Sequence, residues 1–159
     1  MTFIITFKNK FQRTKPFYRL IFSLLFVFIF LAYVDLQYDD TFRASTVFKE
    51  YVGLFWMLTY GLIIFEAYVY YSATKDKSET IGLVVAFFIL LQTWLEDVLY
   101  YLIKIKTLPS SMPHLFQHPV MGKIASLMGY STVTPTSLIV SLTIGIIVTY
   151  YVVKYLRRI

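Results

Sequence analysis

Cysteine is absent from the 159 residues, histidine occurs only as His114 and His118, and Lys, Arg, Asp and Glu together make up just 15% of the chain. Without cysteine there are no disulfides, no thiolate chemistry, no Cys-ligated zinc and no iron–sulfur cluster. No Gly-rich phosphate loop, Gly-x-Ser-x-Gly elbow or His-Glu-x-x-His run occurs, which removes the usual signatures of nucleotide binding, serine hydrolysis and zinc proteolysis. With so little charge, the chain also lacks the means to solvate a large surface.

What is present is apolar: 58% hydrophobic and 19% aromatic residues. Charges cluster between long uncharged stretches, the pattern of bilayer spans and their loops. The net charge of +6 comes from residues flanking apolar stretches, Lys8, Lys10, Arg13, Lys15 and Arg19 at one end and Lys154, Arg157 and Arg158 at the other. This is a membrane-anchoring distribution and does not point to nucleic acid.

The reading is therefore an all-α integral membrane four-helix bundle forming a single transmembrane domain over residues 1–159. Spans are expected at about 17–34, 51–71, 81–103 and 135–153. Each holds enough residues to cross a hydrocarbon core of about 30 Å at ~1.5 Å per residue. The first stretch follows a basic segment, as a signal peptide does, but no small-x-small site follows Ala32, so it is read as a retained span. Met1 to Pro16 alternates apolar and polar residues and is expected along the membrane surface. Thr134-Pro135 supplies an N-cap and a first-turn proline for the last helix. Lys75 and Lys77 fall on the side of both basic termini, and Asp35, Asp39 and Asp40 fall opposite, so the positive-inside rule predicts cytoplasmic termini.

The loop 104–134 is then external. Pro109 and Pro113 stiffen its first half. After His118-Pro119, Val120, Met121, Ile124, Leu127 and Met128 recur at helical spacing before Gly129, predicting a short external amphipathic helix.

Ionisable residues inside spans are costly and become candidates for function. Three qualify: Glu66, Glu96 and Asp97. Tyr70 and Tyr100 stand four residues after the two glutamates, on the same helix faces, where each hydroxyl could reach its acid. Counting residues along antiparallel helices separates Glu66 from Glu96 by about 13 Å, so Glu66 is given a separate role, an inter-helix hydrogen bond or a carboxylic acid kept protonated by burial. Glu96 and Asp97 approach the external boundary, where Tyr100, His114 and His118 could join them. Carboxylate with imidazole suits a divalent metal or an acid–base pair. The candidate metal ligands are accordingly Glu96, Asp97, His114 and His118, and the candidate catalytic residues are these with Tyr100. Glu96 is favoured as the acid facing the site, since Gln92 and Thr93 make its side more polar. Both histidines lie in the loop, so a single chain cannot hold haem b between its helices. Leu95-Glu96-Asp97 resembles, over a few residues, the acidic pair of small membrane carotenoid cyclases, which protonate a polyene; the proline preceding that pair in those enzymes is missing here.

In the last span Ser137, Ser141, Gly145 and Thr149 recur every four residues. Such a stripe lets helices approach closely, within the bundle or across an oligomer interface. Three functions remain open on this sequence. One is an outward-facing acidic and histidine site that binds a metal or proton-active ligand and acts on a lipid-soluble substrate. The others are a non-catalytic subunit or assembly factor of a membrane complex, and a homo-oligomeric proton or cation channel or carrier.

Overall fold

A computed structural model of the chain describes residues 16–42, 48–104 and 107–156. The basic residues Lys8, Lys10, Arg13, Lys15, Lys106, Arg157 and Arg158, the surface segment expected before Pro16, and the side chain of His114 lie outside the described residues. Among the described residues six α-helices follow in order: α1 Pro16–Phe42, α2 Phe48–Thr74, α3 Lys77–Gln92, α4 Leu95–Lys104, α5 Pro119–Leu127 and α6 Pro135–Leu156, with a short 3-10 helix at Pro113–Gln117. Three stretches among the described residues are long and apolar enough to cross a membrane, Tyr18–Gln37, Leu54–Thr74 and Pro135–Leu156. The bent pair α3–α4 makes a fourth if it counts as one span.

That bend corrects the expectation of one continuous helix over 81–103. At 1.5 Å per residue α3 is only about 24 Å long, and α4 departs from it at 63°. No proline or glycine stands at the junction. Instead, the Thr93 hydroxyl donates back to the carbonyls of Ile89 (3.3 Å) and Leu90 (3.1 Å), and Trp94 takes a left-handed φ of +63°. A bulky residue in that region is strained, and packing must hold it there. Because the helix is broken, Glu96 and Asp97 open a new helix, and the facing drawn for a straight one does not carry across Thr93.

Local signals place the other ends. Lys75, with φ +59°, terminates α2, and its N–H bonds the Tyr71 carbonyl at 2.7 Å. Asp76 then caps α3, its carboxylate accepting from the Glu79 N–H at 2.9 Å. Thr134 and Ser137 cap α6 reciprocally: the Thr134 N–H donates to Ser137 Oγ at 2.9 Å and the Ser137 N–H to Thr134 Oγ1 at 3.3 Å.

The starts of α1 and α3 and the ends of α2 and α6 meet at one end of the bundle. Arg19, on α1, donates to both carboxylate oxygens of Glu79, at 3.0 and 2.7 Å. Tyr70, on α2, donates to Glu79 Oε2 at 3.1 Å, and the Ser78 hydroxyl bonds the Leu156 carbonyl. Arg19 and Glu79 are both buried. Above them Leu24, Phe28, Leu31, Ile63, Leu83 and Phe87 form the main core, with Phe28 stacked on Phe87 at 5.2 Å between ring centroids.

At the opposite end, residues 107–134 fold as a cap on a second core of Val98, Met112, Leu115, Met121, Ala125, Val133 and Leu138. The Met112 N–H to Val133 carbonyl bond, 2.8 Å, closes its base. Inside the cap α5 turns Met121, Gly122 and Ala125 inward, and Gly122 lies so near the Phe116 carbonyl that no side chain fits. Val120, Leu127 and Met128 point outward.

Candidate functional site

Two of the sequence candidates sit in the first turn of α4, where the break aims them differently from α3. Negative charge is favourable at a helix start. Yet Glu96 is only 7% exposed, and both Glu96 Oε1 and Asp97 Oδ2 are buried without a hydrogen-bond partner. The two carboxyls act on each other, and Asp35, reaching across from α1, lies close enough to act on both. An unpaired buried polar group costs about 1–3 kcal/mol, and more when charged. Two neighbouring carboxyls, each with a bare buried oxygen, and Asp35 close enough to act on both, therefore concentrate acid at a place whose natural complement is a cation or a proton.

His118 is carried to the same end of the molecule but not into this cluster. It caps the start of α5, and its ring meets the edge of Trp94 at 5.0 Å between centroids. Neither His118 Nδ1 nor Trp94 Nε1, both buried, has a hydrogen-bond partner. Burial holds the His118 imidazole below its ordinary 6.5, because desolvation disfavours the charged ring. Among the described residues, no three His, Asp or Glu side chains converge closely enough to hold a metal ion. Tyr100 is buried on α4, its hydroxyl accepting from Lys104 Nζ at 2.9 Å.

Glu66 takes a different partner from the one its spacing offered. Ser23 of α1 bonds it, while Tyr70 turns to Glu79. Twelve residues along α1 separate Ser23 from Asp35, so Glu66 and the acid pair stand about 18 Å apart at ~1.5 Å per residue.

Sequence reasoning missed Arg19 and Glu79 as a pair. Arg19 stands among the basic residues that flank the first apolar stretch, and Glu79 falls between the spans expected at 51–71 and 81–103. The available signal was that both stand within the first turn of their helices at the same predicted boundary, where an acid and a guanidinium can meet.

Ser137, Ser141, Gly145 and Thr149 are all buried, on the face of α6 that packs against α3. A Cβ added to Gly145 would stand 2.5 Å from Thr93 Oγ1 and 2.7 Å from its Cγ2. The stripe thus seats α6 against the residue that begins the break. No family model, curated protein or solved structure matches the chain.

Proposed function

We propose that this is an integral membrane protein of four spans, the third broken at Thr93–Trp94, and that Glu96 and Asp97 form a cation-binding site beneath the external cap. The observation that carries this reading is the pair of bare, buried oxygens, Glu96 Oε1 and Asp97 Oδ2. Broken spans are tolerated where irregular backbone lines a site, and acids at such depth mark ion or proton paths. At an effective dielectric constant of about 20, two carboxylates ~4 Å apart repel by about 4 kcal/mol, a cost that a bound cation reverses. Glu96 and Asp97 are the ligands in this reading, and Asp35 adds charge from α1. With His118 turned to Trp94, Glu96 and Asp97 offer oxygen donors, which suit a hard cation such as calcium, magnesium or manganese.

The orientation follows from charge. Lys75, Lys77 and Lys154 gather at the Arg19 end with Tyr71 and Tyr150, whose rings carry Lys75 and Lys154 at 5.5 and 5.6 Å. Basic and aromatic residues together suit a cytoplasmic interface. The cap is then external, and the outward Leu127 and Met128 of α5 rest on lipid.

Thermal unfolding of the full chain in detergent tests the site. Calcium, magnesium or manganese at 100 times Kd stabilises by about 2.7 kcal/mol, an upward shift on the order of 5–10 °C for a chain of this size. Glu96→Gln and Asp97→Asn should each abolish the shift. If no cation moves the wild-type midpoint, or the shift survives in the double variant, the site reading fails and the subunit reading takes its place.

A further inference from the structure

A second feature lies toward the Arg19 end and uses none of the acids. Between α1, α3 and α6 runs an apolar cleft of about 260 Å³, lined by Leu20, Leu24, Leu90, Ile146, Tyr150 and Val153 among others. From Ile146 to Val153 it follows two turns of α6, about 10 Å. Its walls include half-exposed residues, Leu25 on α1 and Ile146 on α6, so it opens sideways from the bundle. In a bilayer that opening faces hydrocarbon.

The cleft does not end in hydrocarbon. Tyr150 lines it, and Lys154, one turn further on the same face, holds its ammonium 5.6 Å from the Tyr150 ring centroid. Lys154 is exposed. Around it, the described residues of this end carry four basic side chains, Arg19, Lys75, Lys77 and Lys154, against two acidic ones, Asp76 and Glu79. Arg19 and Glu79 neutralise each other, so the excess positive charge stands at the membrane surface beside the cleft mouth. An apolar slot of chain width ending at an exposed cation is complementary to one kind of amphiphile.

We infer that this cleft binds an anionic phospholipid, with one acyl chain between α1 and α6 and the phosphate against Lys154. Apolar lining accepts the chain without a polar cost, and a basic residue near the leaflet surface attracts anionic headgroups by about 1 kcal/mol. The inference rests on the membrane location proposed above and is independent of the acid pair.

The test is thermal unfolding of the delipidated full chain in detergent, without divalent cations, on titration with dioleoyl-phosphatidylglycerol or dioleoyl-phosphatidylcholine. Phosphatidylglycerol should raise the midpoint saturably, at a concentration about fivefold lower than phosphatidylcholine, the counterpart of about 1 kcal/mol. Ile146→Trp, which fills the slot from a half-exposed position, should weaken the phosphatidylglycerol response about tenfold. Leu25→Trp does the same from the opposite wall should the first variant fail to fold. Lys154→Glu should remove the preference between the two lipids. Equal responses of the wild type to both lipids, or a response unchanged by the wall variants, overturns the assignment. A chain that answers to cations but not to lipid loses only this inference, and one that answers to lipid but not to cations loses only the acid site.

Discussion

At the scale of single residues, the chemistry concentrates where hydrogen bonding is incomplete. Trp94 Nε1, Glu96 Oε1, Asp97 Oδ2 and His118 Nδ1 are all buried and without partners around the helix break. The His118–Trp94 contact gives this region an optical reporter, because the chain has only two tryptophans. In a Trp56→Phe background, Trp94 emission should fall on acidification as the adjoining imidazole protonates, with a midpoint below 6.5. The sign follows from the lowered value: the contact stabilises the fold fully above the unfolded 6.5 and is lost as pH falls through the folded value. His118→Gln should flatten the titration, and a midpoint at or above 6.5 would mean the ring is not desolvated against Trp94. Glu96, Asp97 and His118 stand out in the sequence, because charge and imidazole near apolar runs are visible as letters. The sequence did not disclose that His118 pairs with an indole, since that contact joins residues 24 apart through the folding of the cap.

At the scale of helices, apolar runs and caps made most of the elements legible. Thr134 and Pro135 mark the start of α6 by residue type alone, whereas α3 begins at Lys77 behind the Asp76 cap, earlier than the expected span at 81. The break at Thr93–Trp94 was not legible, because its cause is tertiary: Thr93 is wedged against Gly145 of α6, and no helix-breaking residue announces it. Gly145→Ala should therefore lower the thermal midpoint in detergent by the equivalent of about 1–3 kcal/mol, the usual cost of overpacking. Ile147→Ala on the exposed face should stay within about 0.5 kcal/mol. Thr93→Ala should return part of the loss, since it removes the Oγ1 and Cγ2 that the new methyl meets. Additive effects of Gly145→Ala and Thr93→Ala would show that the two helices do not meet there.

At the scale of the whole molecule, the sequence made the all-helical character and the apolar stretches legible, but not how they are tied together. Side is the remaining expectation, and an accessibility experiment resolves it. The absence of native cysteine leaves a clean background, so Lys75→Cys and Gln117→Cys, both exposed, should react with a membrane-impermeant maleimide from opposite sides. Reaction from one side would break the four-span topology. The knot of Arg19, Tyr70, Glu79, Ser78 and Leu156 also sets an order of assembly during synthesis. Arg19 and Glu79 are 60 residues apart, and Ser78 and Leu156 are 78 apart. The guanidinium is made first, and its carboxylate partner Glu79 follows only when the start of α3 leaves the ribosome. From that moment a three-helix unit can close around it, long before α6 exists. The last helix therefore joins a partner that is already assembled, and its small-residue face is a docking seam for a late arrival.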